Sequence, residues 1–307
     1  MFGSKDSTKK IILFFVALIC YASISTAAYQ DNRSAESRRD MGLGVYCAES
    51  PGWNTISNNI AVLDISNTSQ GYIGIKYTGS NKQVKVSVDN NGSRNIYDLW
   101  ASDYNEFIFL PLHEGNGVYD ITVLEHMSGI SYHTAFSETI DAMMADETLP
   151  FLYPSYYVDF SEDSAAAHEA ARIAKSAKSD LELVTEIYNV LSINITYDYD
   201  LESRAKAGIP HKTDIDTVLK KRCGICIDYA TLMAAMLRSQ GVPAKVVIGR
   251  VAIGSRDLFP SHTWVSACIR DGDEIKWIDV DPTQAATAGR QASMKAPLVD
   301  YIPSYYY

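Results

Sequence analysis

The residues best suited to chemistry are concentrated in Cys223-Gly224-Ile225-Cys226-Ile227-Asp228-Tyr229-Ala230, which continues through Thr231 to Arg238. From Tyr229, apolar residues recur at Leu232, Met233, Met236 and Leu237, the spacing of a helix with one buried face. Gly241 suits the position just past such a helix, and Pro243 forbids its continuation. The pattern places Cys226 in the first turn. A thiol there faces unpaired backbone N–H groups and the positive end of the helix dipole, and both favour thiolate. A nucleophile is therefore expected at Cys226.

A thiolate nucleophile works with a neighbouring base, and the base with a group that orients it. His262 and Asp281 are the candidates. They belong to two runs, 262–269 and 275–283, that alternate as strands do. Between the runs lies Asp271-Gly272, a strong signal for a two-residue hairpin loop. With those two residues as the loop, Trp264 faces Asp279 and His262 faces Asp281. Directly opposite residues share a face, with Cβ atoms about 5 Å apart. The register thus predicts His262 and Asp281 side by side, with the carboxylate fixing the imidazole tautomer and leaving the other ring nitrogen for a thiol. A slip of one residue would send the two to opposite faces.

Other elements must bring these runs together. Residues 160–290 read as an α+β domain. A helix is expected over 163–177, and another opens at the capping box of Ser179 and Glu182. A short extended piece follows at 195–199, then a loop with a short helix over 201–220. Residues 244–251 are strand-like and 254–261 read as loop. Upstream, 59–145 holds short alternating runs separated by turn clusters about every ten residues, the pattern of a β-sandwich. Its strand around Tyr119 resembles a late strand of immunoglobulin-like bacterial surface modules. His113, His126 and His133 share no ligand spacing and read as loop histidines, so no metal and no cofactor is expected. Residues 150–157 read as an aromatic linker packed at the domain junction, 29–58 as a polar linker, and 291–307 as a C-terminal tail.

The formal net charge is −10, which offers no basic stripe for phosphates and argues against nucleic acid as a partner. Twenty tyrosines against nine phenylalanines point to a wet, β-rich surface. Lys5, Lys9 and Lys10 precede the apolar run 11–22 and the small residues Ser23, Ser25, Thr26, Ala27 and Ala28. That order reads as a signal peptide over 1–28, or as an uncleaved anchor, and predicts a secreted or otherwise extracytoplasmic chain. The remaining cysteines, Cys47, Cys223, Cys226 and Cys268, are too few for a disulfide scaffold.

Four separated motifs resemble those of the transglutaminase-like superfamily, and they arrive in its order: 224–230, 237–244, His262-Thr263-Trp264-Val265 and Asp279-Val280-Asp281-Pro282-Thr283. The resemblance spans roughly 165–285. It implies a papain-like core in which a cysteine helix packs on an antiparallel sheet. Cys226 matches the nucleophile, His262 the general base and acid, and Asp281 the orienting carboxylate. The implied activity is attack on an amide of a protein or peptide, such as a glutamine side chain, through a thioester resolved by an amine or by water. The second oxyanion donor is not matched, and Tyr197 or Tyr199 stands in its place as a candidate.

Other readings remain open from sequence alone. A cysteine peptidase or amidase acting on cell-wall or surface protein would use the same three residues. Cys223-Gly224-Ile225-Cys226 is also the layout of a thiol–disulfide oxidoreductase. Finally, the sandwich could recognise a cell-surface or cell-wall ligand, with the second domain a non-catalytic scaffold.

Overall fold

In the computed structural model, residues 45–253, 256–271, 274–288, 294 and 300–307 are described. All belong to one unit spanning 34–307. The expected leader, 1–28, and the first part of the linker lie outside the described residues.

The N-terminal part is built from strands β1 (Thr55–Ser57), β2 (Ala61–Asp64), β3 (Tyr72–Tyr77), β4 (Val84–Asn90), β5 (Ser93–Leu99), β6 (Ile108–Pro111), β7 (Gly117–Ser128) and β8 (Ser131–Ala142). They form two antiparallel sheets, ordered β1-β2-β3-β6 and β5-β4-β7-β8. Alternation explains the pairing. Tyr119, Ile121 and Val123 of β7 point into the core while Val118 and Asp120 face out. Leu63, Ile73, Ile75 and Leu110 of one sheet share a core with Val86, Tyr97 and Ile121 of the other. Each such side chain contributes roughly 1.5–3 kcal/mol when fully buried.

Strands β1 and β5 were not expected from the sequence. The turn before β5 was: Asn91 and Gly92, at φ 51° and 94°, are the two left-handed residues that a tight hairpin demands. The histidines also differ from expectation. His126 and His133 lie on β7 and β8 rather than in loops, and His113 is buried in the turn after β6. Nor are the tyrosines mainly a surface feature. Tyr97, Tyr156 and Tyr307 are buried and, with Tyr157, pack ring against ring where the N-terminal sheets meet the rest of the chain. The aromatic segment before the helices is buried as expected, with Phe151, Leu152 and Tyr153 inside.

The second part contains α1 (Ala165–Ala174), α2 (Asp180–Asn194), β9 (Thr196–Tyr197), α3 (Tyr199–Lys206), α4 (Ile215–Lys221), β10 (Cys223–Gly224) and α5 (Cys226–Ser239). These are followed by β11 (Ala244–Ile253), β12 (Arg256–Asp271), β13 (Glu274–Val280), α6 (Pro282–Ala288) and β14 (Asp300–Tyr306). Local caps set the helix starts. Ser179 accepts from the Glu182 N–H, Asp198 from Leu201 and Asp214 from Thr217. The Asp198 cap turns part of the expected 201–220 loop into α3.

The strands β11 to β14 form an antiparallel sheet ordered β13-β12-β11-β14. Two expectations are corrected here. Strand β12 begins at Arg256, so most of the supposed 254–261 loop is strand. The supposed tail contributes β14, which pairs along β11. Helix α5 packs on β11 and β12, with α1, α2, α4 and α6 around it. Every residue from Asp228 to Ser239 is buried, so the helix is covered on all sides rather than on one face.

Candidate active site

Helix α5 begins at Cys226 because the turn before it is held from several directions. Asp228, 1% exposed, accepts from the Ile225 N–H at 2.9 Å through Oδ2. Its other oxygen, Oδ1, meets His211 Nε2 at 2.6 Å and the Thr213 hydroxyl at 2.7 Å. A Cβ at position 224 would lie 2.8 Å from the Asp228 Cβ, so only glycine allows this approach. Strand β10 pairs in parallel with β9, Gly224 opposite Tyr197, and the Tyr229 hydroxyl donates to the Ile195 carbonyl at 2.7 Å. The cysteine therefore sits at the tip of a rigid helix whose base is inside the core.

His262 lies on β12 opposite Gly249 of β11. Its Nε2 is 2.8 Å from Asp281 Oδ2, and β12 packs against the helix that Cys226 begins. With Nε2 taken by the carboxylate, Nδ1 is the nitrogen left for sulfur. Burial disfavours the charged ring. The hydrogen bonds and charges of Asp281 and Cys226 outweigh it and push the imidazole up to about 10.

Asp281 stands just before α6 and serves as its cap, with Oδ1 accepting from the Thr283 N–H at 3.1 Å. Oδ2 also accepts from the Tyr301 hydroxyl at 2.9 Å. Burial favours the neutral acid here, but the His262 hydrogen bond and charge, with those from Tyr301 and Thr283, hold the carboxyl below its ordinary value. Trp264 lies nearly parallel to His262, with ring centres 6.4 Å apart at 22°, and Tyr301 meets Trp264 edge-on at 5.2 Å.

His262 and Asp281 are thus brought together, by a register other than the expected one, while Cys226 opens the helix packed on β12. Asp271 pairs with Glu274, and the ladder runs to Val265 opposite Val280. The hairpin is shifted by two residues, which leaves parity unchanged. One further step places Asp281 opposite Trp264, so His262 meets Asp281 along the diagonal rather than directly across. Asp-Gly-Asp permits the loop in either position, since Gly-Asp also suits a two-residue turn. Positions 272 and 273 themselves lie outside the described residues.

Among the other candidates, Tyr197 lies on the strand paired with Gly224, two residues before Cys226. Burial first, then Cys226 and Glu202, push the Tyr197 phenol up, so it remains a proton donor. Tyr199 is mostly exposed and lies edge-on to Tyr197 at 5.0 Å. Cys223 and Cys226 are both free thiols. Cys268 is buried, and burial pushes its thiol up to about 12, as suits a core filler. Sequence reasoning missed His211, Thr213 and Tyr301. Each reaches the site across a long stretch of chain and leaves no local pattern.

Residues 167–282 match the family model for the transglutaminase-like superfamily. No curated protein matches the chain. Among solved structures, one of a TGase is 21% identical over 43% of this chain and 34% of its own, with a TM-score of 0.32. The present chain thus spans about a third of that protein's length. The periplasmic domain of TgpA from Pseudomonas aeruginosa, bound to ethylmercury, is 16% identical over 78% of this chain and 80% of its own, at TM-score 0.36. A candidate cysteine protease from Cytophaga hutchinsonii is 17% identical over 80% and 77%, at TM-score 0.37. Likeness at such TM-scores is too loose to assign an activity to this chain. The chain carries a transglutaminase-like domain at 167–282, and Cys226, His262 and Asp281 all fall within it.

Proposed function

We propose that the protein is a cysteine acyltransferase or hydrolase acting on amides of a protein or peptide, with Cys226 as nucleophile, His262 as general base and acid, and Asp281 as orienting carboxylate. The observation that supports it is the 2.8 Å pairing of His262 Nε2 with Asp281 Oδ2, on a strand that packs against the helix begun by Cys226. The Cys226 sulfur attacks a carboxamide carbon, forming a C–S bond and a tetrahedral oxyanion. Its first stabilising donor is the Cys226 backbone N–H, and its second the Tyr197 hydroxyl. His262, charged in the resting state, gives its proton to the departing nitrogen as the C–N bond breaks, leaving a thioester. A primary amine or water then attacks the thioester, His262 takes its proton, and the C–S bond breaks to return the thiolate. Asp281 stays ionised throughout, because each charged state of the imidazole is compensated from its side.

The basic, apolar and small-residue order of 1–28 supports an extracytoplasmic location. The two antiparallel sheets around a shared core support an immunoglobulin-like module over 59–145, and a cell-surface or cell-wall ligand is the partner it suits. Retention of the full chain on isolated cell envelopes tests that partner, and its absence from the pellet counts against it.

Mass spectrometry of a glutamine-peptide library, incubated with the protein with and without a primary amine, tests the activity. Amine adducts establish transfer, deamidated or cleaved peptides establish hydrolysis, and an unchanged library in both arms removes the proposal.

A further inference from the structure

The terminal strand reaches into the site. Strand β14 pairs with β11, Tyr301 opposite Val251, and β11 pairs with β12, Gly249 opposite His262. Both ladders break register near Gly249. A Cβ there would meet the Ile302 carbonyl oxygen at 2.2 Å and the Trp264 ring at 2.7 Å. The missing side chain at 249 is what allows β14 and Trp264 to close together at this point. The outcome is a Tyr301 hydroxyl 2.9 Å from Asp281 Oδ2, the same oxygen that meets His262 Nε2 at 2.8 Å.

We infer that Tyr301 is a positioning residue for the His262–Asp281 pair, its hydroxyl holding the carboxylate turned towards the imidazole and its ring backing Trp264 behind His262. This rests on the function proposed above. The Thr283 N–H fixes one carboxylate oxygen, and without Tyr301 the other is held, among the described residues, by His262. During turnover the imidazole passes through its neutral form and its bond to Asp281 weakens. A second donor keeps the carboxylate in place across that change and favours its ionised form. Among the described residues, the titratable groups that act on Asp281 are His262 from β12, Tyr301 from β14 and Tyr188 from α2, and Cys226 at the start of α5 acts on the same imidazole. Of these, Tyr301 is the group that reaches Oδ2 from β14.

The test is the rate at which iodoacetamide alkylates Cys226, followed by peptide mass spectrometry across pH on the full chain, for wild type, Tyr301→Phe and His262→Ala. Melting temperatures confirm that each variant is folded. Tyr301→Phe keeps the ring against Trp264 and removes only the hydroxyl. It is expected to move the acid limb of the profile up by about half to one pH unit, because Asp281 loses a hydrogen bond to its charged form. The alkaline plateau should be unchanged. A Tyr301→Phe profile that superimposes on wild type, while His262→Ala departs from both, overturns the role of Tyr301 and leaves the proposed function standing. A His262→Ala profile that also superimposes overturns both. If Tyr301→Phe lowers the rate equally at every pH, the residue is structural and the inference fails.

Discussion

His211 and Asp228 form a second histidine–aspartate pair, 2.6 Å apart, at the turn that precedes α5. The same aspartate holds the Ile225 N–H, so the pair braces the start of α5 rather than the reacting atoms. The Asp228 hydrogen bond, working against burial, raises the His211 imidazole above its ordinary value. A group raised on folding adds stability that is complete below its unfolded value and lost as pH climbs through the folded one. His211→Gln should therefore destabilise the protein most below about pH 6.5, with the gap to wild type narrowing at alkaline pH. Urea unfolding of both proteins in acid and in alkali measures this, and a gap that widens with pH contradicts it.

Asp281 does two jobs that one substitution can separate. It caps α6 and it faces His262. Asparagine is as good a cap as aspartate, whereas alanine forfeits about 1 kcal/mol at such a position. Asp281→Asn should therefore keep the cap but lower turnover by about 10⁴, because the amide stabilises neither the tautomer nor the imidazolium. Asp281→Ala should lose both activity and stability. Turnover and denaturant midpoints of the two variants decide, and an active Asp281→Asn enzyme would exclude the carboxylate from the mechanism.

The helix of Cys226 was legible because its apolar residues recur at helical spacing and Gly241 and Pro243 mark its end. Its burial on every side was not, since Ala230, Ala234 and Ala235 are neutral in such a pattern and the covering helices come from elsewhere in the chain. The facing of His262 and Asp281 survived a register error because a two-residue shift preserves parity. Strand β5 was missed for a physical reason: its inward positions include Asn95, whose amide donates to the Tyr306 carbonyl instead of packing as an apolar side chain. His211 and Tyr301 were invisible because their partners lie 17 and 20 residues away, fixed by the fold and by no local repeat.

Tyr197 offers a sharper test of the oxyanion site. Its strand pairs with Gly224, two residues before Cys226, and its phenol, raised by burial, remains protonated. A donor that acts only on the developing oxyanion affects the chemical step and not ground-state binding. Tyr197→Phe should lower kcat by roughly 10²–10³ with KM little changed. Steady-state kinetics on a peptide found in the library screen measure it. A change confined to KM would assign Tyr197 to substrate binding instead.

Arg238 ties the site to the end of the chain. It is fully buried, and its guanidinium donates to the carbonyls of Ala244, Tyr153 and Tyr307 and to the Ser155 hydroxyl. Burial pulls its pKa down to about 9, yet the four acceptors replace the water it has lost. Through them one side chain joins α5, the aromatic segment that follows the N-terminal sheets and the strand carrying Tyr301. Arg238→Met leaves these acceptors without the donor they share, and should cost roughly 3–5 kcal/mol. Arg238→Lys restores the charge but not the planar fork that reaches several carbonyls at once, so it should recover little of the loss. Denaturant unfolding with tyrosine fluorescence measures both, and Tyr307, edge-on to Tyr97 and Tyr157, reports on the same junction. Because Arg238 anchors β14, partial unfolding of that strand should also slow Cys226 alkylation in acid before global unfolding begins. Loss of global stability with an unchanged alkylation profile would mean that the anchor supports the fold without reaching the catalytic pair.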